Sequence, residues 1–164
     1  MITLESTVLV EGVEGRRLYD FLMNPNDADY RRWWPGTHLE YHTLDGQPAR
    51  VGSRLFMDET IGRRRLRLIA EVVAAEPGRS IVWQVVQIVR LPAWVRFRLD
   101  PVGRDVRVTH TIKAGFRGPG AMLDGVLRLI LSPAFADAMD AHVRTEFPRL
   151  GALIAMTSST APPP

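Results

Sequence analysis

The sequence predicts an α+β domain in which a curved antiparallel sheet of seven strands is covered by one long C-terminal helix, with a cavity between them. Strand-like runs separated by short turns occupy most of the chain up to Ala114. Short turns favour antiparallel pairing of sequence neighbours. The only long stretch with helical apolar spacing follows these runs, over residues 119–156. A single helix cannot close the concave face of so large a sheet, so we expect a cavity there.

The first three predicted elements are one strand and two short helices. Residues 3–10 are rich in Thr, Val and Leu, which is typical of a strand. A short amphipathic helix is predicted for residues 14–23, and Asn24-Pro25 ends it. A second short helix is predicted for residues 27–34, and Pro35-Gly36 ends that one.

Six further strands are predicted, most of them followed by turn residues. They cover residues 38–43, 53–61, 65–75, 80–89, 93–99 and 105–114. Several of them alternate apolar and polar residues, as where Val106, Val108 and Ile112 alternate with Arg107 and Lys113. One face of the sheet is therefore expected to be dry and the other to face water.

The apolar C-terminal stretch divides at Ser132-Pro133, because a proline disfavours helical geometry in the residue before it. Apolar residues recur at three- and four-residue steps on both sides: Met122, Val126, Leu129 and Ile130 before it, and Phe135, Met139, Val143, Phe147, Leu150 and Ile154 after it. We expect a short helix and then a long one over residues 133–156, which would be about 35 Å long. Pro148 should kink the long helix.

The composition indicates one globular domain. The 164 residues are 46% hydrophobic and 24% charged, and the formal net charge is +3. We assign residues 1–156 to the domain and expect residues 157–164, which are rich in Ser, Thr, Ala and Pro, to form a disordered tail. The basic residues are interspersed with acidic ones, and no basic face with stacking aromatics is evident, so we expect no nucleic-acid partner.

The sequence has no cysteine, which excludes disulfides, thiolate metal sites and a cysteine nucleophile. It opens without a secretory signal, and no apolar run approaches the length of a membrane-spanning helix. We therefore expect a cytoplasmic protein without stable membrane insertion, either a monomer or a homodimer. No Gly-x-Ser-x-Gly motif or phosphate-binding loop is present, so nucleophilic hydrolysis and nucleotide binding have no support.

The order of elements and three local sequences resemble those of the START-like or Bet v 1-like superfamily, also called SRPBCC, which has the helix-grip fold. The three sequences are residues 33–36, which lead into the second strand, residues 51–54, which open the third, and residues 76–83, at the turn between the fourth and fifth strands. The chain is most similar to polyketide cyclase/dehydrase-type bacterial members. The resemblance covers residues 3 to about 156.

This resemblance leaves two classes of function open. The first is a binding protein whose cavity holds a small hydrophobic ligand, such as a lipid, a polyketide or an aromatic metabolite. The second is a polyketide cyclase or aromatase that promotes ring closure or dehydration by acid–base catalysis. A third possibility is an interaction domain whose interior is filled by its own side chains. Neither ligand-based hypothesis requires a cofactor, and we expect none.

Three residues are candidates for proton transfer. His110 shares the dry face with Val108 and Ile112, where it could act as a base or could be a core histidine that is satisfied by a backbone carbonyl. Glu59 has inward parity, and burial would suit it to acid–base catalysis. A bulge in this strand would instead turn Asp58 inward. Tyr41 is the third candidate.

His38, Glu40 and His42 alternate along one predicted strand face, and two histidines with a carboxylate can bind zinc or iron. Same-face positions on a strand lie about 7 Å apart, however, so the three could meet on one ion only with distortion. Their register also opposes that of Leu39 and Tyr41, which we expect to be inside. We therefore expect solvent exposure and no metal site.

Large apolar side chains are the candidates for lining the cavity. Aromatic rings supply flat walls for a polycyclic or aromatic ligand, although most aromatics in any domain are simply core residues. The candidates are Tyr30, Trp33, Trp34, Phe56, Trp83, Trp94 and Phe97 from the sheet and the short helices, and Met122, Val126, Phe135 and Met139 from the C-terminal stretch.

Overall fold

The structure, a computed structural model, describes residues 1–87, 90–116 and 118–159. Within these ranges, the side chains of residues 119, 121, 123, 126, 158 and 159 lie outside the description. The elements in chain order are β1 (Ile2–Val10), α1 (Gly15–Met23), α2 (Asp27–Trp33), β2 (His38–Asp45), β3 (Arg54–Ile61), β4 (Arg64–Glu76), β5 (Ser80–Val86), β6 (Arg90–Val102), β7 (Asp105–Ala114), a 3-10 helix (Gly118–Leu123), α3 (Asp124–Ile130) and α4 (Pro133–Ser159).

The strands form one antiparallel sheet in the order β1-β7-β6-β5-β4-β3-β2. Consecutive strands from β2 to β7 are neighbours, as the short turns predict, and β1 pairs with β7 along its whole length, from Ile2 opposite Ala114 to Val10 opposite Val106. The pair α1 and α2 fills the connection between β1 and β2, which are the two edges of the sheet. The predicted α+β fold with seven antiparallel strands is confirmed.

Helix α4 lies against the sheet and against both short helices, with contacts to β1, β3, α1 and α2. The predicted apolar stripe of α4 is buried throughout, at Phe135, Met139, Val143, Phe147, Leu150 and Ile154. Burial of each such side chain contributes about 1.5–3 kcal/mol, so the stripe is the main reason that the helix docks. No helix in the described part of the chain is long and apolar enough to span a membrane.

Several boundaries differ from the predicted ones. Strand β6 begins at Arg90, before its proline, and β5 ends at Val86, while residues 88 and 89 lie outside the described residues. Helix α4 extends to Ser159, three residues beyond the predicted end of the domain at residue 156. No proline or glycine interrupts α4 there, and the Thr157 hydroxyl donates to the Ile154 carbonyl. Residues 160–164 lie outside the described residues.

Candidate functional site

A cavity of about 280 Å³ lies between the sheet and the helices α3 and α4. Six of the predicted ligand-binding residues line it: Tyr30, Trp33, Trp83, Phe97, Phe135 and Met139. Further apolar lining comes from β4 and β6, where Leu66, Leu68 and Val95 occupy positions of the predicted dry face. The volume is close to the lower end of the roughly 300–1,000 Å³ that is common for small-molecule pockets.

Four other candidates are not part of this lining. Phe56 and Trp94 alternate with lining residues along β3 and β6, so they lie on the outer face, and Phe56 packs beside His42 at 5.3 Å between ring centroids. Trp34 follows the last residue of α2 and stacks on the far side of His142. Met122 is 90% exposed. It belongs to a 3-10 helix, whose three residues per turn do not maintain the α-helical spacing from which its burial was predicted. The side chain of Val126 lies outside the described residues.

Polar side chains form part of the cavity wall, and strand β3 supplies the first of them. Its residues Leu55, Met57 and Ile61 are buried, and Glu59 shares their side of the strand and lines the cavity. The register of β3 against β4 is continuous, so the alternative of a bulge that turns Asp58 inward does not occur. Asp58 instead accepts hydrogen bonds from Arg65 and Arg67 at 2.7–2.9 Å.

His38 points into the protein, and the expectation that it is exposed is wrong. A register shift between His38 and Glu40 in the pairing of β2 with β3 adds one residue to β2, so His38 lies inward together with Tyr41. The His38 side chain is 0% exposed, whereas Glu40 and His42 remain partly exposed. Simple alternation predicted that the three residues share one face of the strand. The register shift instead puts His38 inside and leaves Glu40 and His42 partly exposed.

Helix α4 contributes two residues that the sequence analysis did not identify. His142 and Glu146 are one turn apart on the same face, and both line the cavity. They immediately precede Val143 and Phe147 of the buried stripe, which places them at its edge. The Trp33 indole Nε1 donates to the Glu146 carbonyl at 2.7 Å and ties this turn of α4 to α2. The sequence did contain a signal for this pair: His142 and Glu146 are four residues apart, and each directly precedes a residue of the apolar stripe.

The four residues His38, Glu59, His142 and Glu146 form a compact cluster, which we call the His–Glu cluster. Each residue offers one atom that could ligate a metal ion, a ring nitrogen or a carboxylate oxygen, and these four atoms all lie within 4.8 Å of one another. The Nε2 atom of His38 is 3.7 Å from Glu59 Oε2 and 3.5 Å from Glu146 Oε1. The Nε2 atom of His142 is 3.7 Å from a carboxylate oxygen of each glutamate. Two imidazoles and two carboxylates at such distances can act as acids and bases, and they can also ligate a metal ion.

Two tyrosines lie beside this cluster. The amide groups of Ala28 and Asp29 donate to the Asn26 side chain, which caps α2 and so fixes the helix that carries Tyr30. The Tyr30 hydroxyl donates to Glu59 Oε2 at 2.7 Å. The hydroxyl of Tyr41, the predicted catalytic tyrosine, instead donates to the Leu22 carbonyl. Burial, and then the charge of Glu59, raise the pKa of both tyrosines, so both remain protonated.

The surroundings of the two glutamates shift their pKa values in opposite directions. Burial by itself would raise the pKa of Glu59, but the imidazoles of His142 and His38 and the Tyr30 hydroxyl outweigh it, so the pKa of Glu59 is lowered. Burial, and then the charge of Glu59, raise the pKa of Glu146 well above that of an ordinary glutamate. Glu146 therefore holds a proton more readily than Glu59 does.

Burial keeps two of the histidines, His38 and His110, neutral. Burial lowers the pKa of His38 to about 4, and it does the same to His110 on β7, which lines the cavity as predicted. Both ring nitrogens of His38 and the Nε2 atom of His142 are buried without a hydrogen-bond partner among the described residues. An unpaired buried polar group costs about 1–3 kcal/mol, so the fold maintains this arrangement at a loss of stability.

The chain is similar to solved structures over most of its length. TTHA0849 from Thermus thermophilus aligns with 96% of this chain and 99% of its own, with a TM-score of 0.64 and 12% identity. Protein Ms6760 from Mycobacterium smegmatis aligns over 94% and 92%, with a TM-score of 0.63 and 16% identity. Major latex-like protein 151 from Panax ginseng aligns over 87% and 98%, with a TM-score of 0.53 and 17% identity. Such low identities show a shared fold alone.

No protein-family model matches this sequence, and no curated protein matches it significantly.

Proposed function

We propose that this chain, which has the helix-grip fold of the Bet v 1-like superfamily, binds a small hydrophobic ligand in the cavity beneath α4. The observation that carries the proposal is the cavity itself, which is walled mainly by apolar and aromatic side chains and contains a small set of converging polar groups. This combination is characteristic of small-molecule sites, in which apolar contact supplies affinity and a few polar groups fix orientation.

The apolar part of the wall favours a flat or flexible hydrocarbon-rich ligand. The indoles of Trp33 and Trp83 and the ring of Phe97 supply planar surfaces, and Leu66 and Leu68 supply aliphatic ones. Burial of apolar ligand surface contributes about 25 cal/mol per Å² to affinity. A lipid, a polyketide or an aromatic metabolite has the required surface.

The polar part of the wall favours a ligand with an oxygen-bearing group. Glu146, whose pKa is raised, is the glutamate better suited to donate a hydrogen bond, and the Glu59 carboxylate, whose pKa is lowered, can accept one. His110 offers a neutral imidazole, which both donates and accepts. A hydroxyl or carbonyl group at one end of the ligand would pair with these groups and give the ligand a defined orientation.

A dye-binding experiment with two matched variants tests the proposal. Leu68 lines the cavity and Ile69 is the next residue on β4, on the outer face. Leu68→Trp should fill part of the cavity and weaken the binding of the fluorescent probe 1-anilinonaphthalene-8-sulfonate by roughly tenfold or more. Ile69→Trp should leave the affinity of the probe unchanged. Equal affinities in the two variants would show that the probe does not occupy the cavity, which contradicts the proposal.

A second candidate function, acid–base catalysis of a cyclase or aromatase type, is favoured by the opposed pKa shifts of Glu59 and Glu146. Neighbouring groups whose pKa values are pushed apart are the usual arrangement for a base and an acid in one site. Glu59 would accept a proton from an activated carbon, and Glu146 or the imidazole of His110 would donate one to a carbonyl oxygen. The flexible substrate would be held folded by the aromatic wall.

Turnover measurements separate this candidate from simple binding. With a linear poly-β-ketone thioester as the substrate, Glu59→Gln and His110→Ala should each lower kcat by roughly 10²- to 10⁴-fold, which is the contribution of a general acid or base. His42→Ala, on the outer face, serves as the control and should retain the wild-type rate. If neither Glu59→Gln nor His110→Ala changes the rate, proton transfer by these residues is excluded.

A further inference from the structure

We propose that the His–Glu cluster, formed by His38, Glu59, His142 and Glu146, is a binding site for a divalent transition-metal ion. The cluster differs from the alternating set His38, Glu40 and His42 that the sequence offered. It draws one residue each from β2 and β3 and two from a single turn of α4. The proposal concerns the ion alone and holds whichever organic ligand occupies the cavity.

The distances within the cluster fit tetrahedral coordination. Ligand atoms about 2.0–2.2 Å from a tetrahedral ion lie roughly 3.3–3.6 Å from one another. The Nε2 atoms of His38 and His142 each lie 3.7 Å from Glu59 Oε2, and they lie 3.5 Å from Glu146 Oε1 and 3.7 Å from Glu146 Oε2, respectively. These separations are too long for hydrogen bonds, and one ligand atom from each residue lies within 4.8 Å of the others, so side-chain movements of about an ångström would bring four ligand atoms to the expected spacing.

The nitrogen atoms that face the cluster have no other partner in the described part of the chain. The Nε2 atoms of His38 and His142 are both buried and make no hydrogen bond there. Buried polar atoms are almost always paired, so two unpaired nitrogens aimed at the same two carboxylates require an explanation. A metal ion between the four side chains would satisfy both nitrogens at once.

Neighbouring aromatic rings and one hydrogen bond hold the ligand atoms in place. The His38 ring stacks on Tyr30 at 4.0 Å between centroids, with 7° between the planes. The His142 ring stacks on Trp34 at 4.7 Å. The Tyr30 hydroxyl also donates to Glu59, as groups around metal ligands commonly do. Both imidazoles and one carboxylate are thus oriented by neighbouring residues.

The donor set indicates the class of ion. Glu59 and Glu146 balance the charge of a divalent cation once Glu146 releases its proton to solvent on metal binding, and no arginine or lysine in the described ranges pairs with either of them. Imidazole and carboxylate ligands suit zinc, iron, cobalt and nickel, whereas calcium and magnesium are bound through oxygen atoms. Glu59, His142 and Glu146 also line the cavity, so an oxygen atom of a cavity ligand could reach the ion.

Titration of the metal-free, tag-free protein tests the proposal. The protein is stripped with a chelator, and Zn²⁺ is added in an isothermal titration calorimeter, with Co²⁺ in parallel as a visible-absorption probe of coordination. We expect one ion per chain and the intense absorption of four-coordinate Co²⁺. His142→Ala and Glu146→Gln should each weaken Zn²⁺ binding by at least about tenfold. His42→Ala, which removes a partly exposed histidine, should bind as the wild type does.

Thermal unfolding in chelator separates loss of the site from loss of the fold. Glu146→Gln keeps the shape of the side chain and removes the anionic oxygen, so its unfolding temperature without metal should match that of the wild type. If the wild-type protein binds no Zn²⁺, the proposal is overturned whatever the variants do. It is also overturned if Glu146→Gln and His142→Ala both bind Zn²⁺ with wild-type affinity, because the ion would then bind elsewhere.

Discussion

The buried ionisable residues determine what the cavity can do. A wholly apolar cavity would select ligands by size alone, but here two glutamates with oppositely shifted pKa values and two histidines, of which burial holds His110 neutral, share its wall. Each group costs stability because it is removed from water, and the unpaired nitrogens of His38 add to that cost. Such costs are typical of functional sites, where arrangement of the polar groups takes precedence over stability.

The neutral state of His110 predicts how stability depends on pH. Burial lowers the pKa of His110 to about 4, while the unfolded chain has a histidine pKa near 6.5. Between these values the unfolded state binds a proton that the folded state does not, so stability falls as the pH is lowered. The full contribution is present above pH 6.5 and is lost progressively towards pH 4.

The variant His110→Leu isolates this effect. Between pH 7 and pH 5, urea unfolding in the presence of chelator should show that the wild type loses about 2 kcal/mol more stability than His110→Leu does. The other buried histidines are present in both proteins, so their contribution cancels in the difference. Parallel stability curves over this pH range would mean that His110 is not held neutral by burial.

At the scale of the elements, the docking of α4 determines both the cavity and the His–Glu cluster. The helix packs tightly on β1 at Gly151, where an added Cβ atom would lie 2.6 Å from Val10 Cγ1. In an exposed helix, replacing glycine by alanine is stabilising by up to about 1 kcal/mol. At position 151 the same change would separate α4 from β1 or displace Val10.

Two alanine substitutions therefore have opposite expected effects. Gly151→Ala should destabilise the protein by about 1–3 kcal/mol, as overpacking commonly does. Gly125→Ala, in α3 where nothing lies within 4 Å of the added Cβ, should be neutral or stabilise by up to about 1 kcal/mol. Chemical unfolding of the two variants measures both effects. Stabilisation by Gly151→Ala would contradict the close packing of α4 on β1.

Sequence periodicity predicts regular elements well and irregular ones poorly. The stripe of α4 and the inward parity of Glu59 follow from spacing alone, because α4 is one continuous helix from Pro133 to Ser159 and β3 pairs with β4 without a shift. The burial of His38 depends on one extra residue in β2, which alternation cannot reveal. His142 and Glu146 are polar residues at the edge of an apolar stripe, and without the positions of β2 and β3 they resemble surface residues of a helix.

For the molecule as a whole, the cavity follows from the mismatch between a seven-stranded sheet and the single long helix that lies on it. Apolar side chains on the concave face have too few partners from α4 alone, and α3 covers only part of the remainder. The general outline of this arrangement was predictable from the order of elements. The volume and chemistry of the cavity were not, because they depend on how far α4 lies from β4, β5 and β6.

Native mass spectrometry of the protein recovered from its host tests the binding function most directly. We predict a small molecule that remains bound in the intact protein, is released on unfolding, and is lost from Leu68→Trp but kept by Ile69→Trp. The same bound mass in both variants, or none in the wild-type protein, would contradict the account.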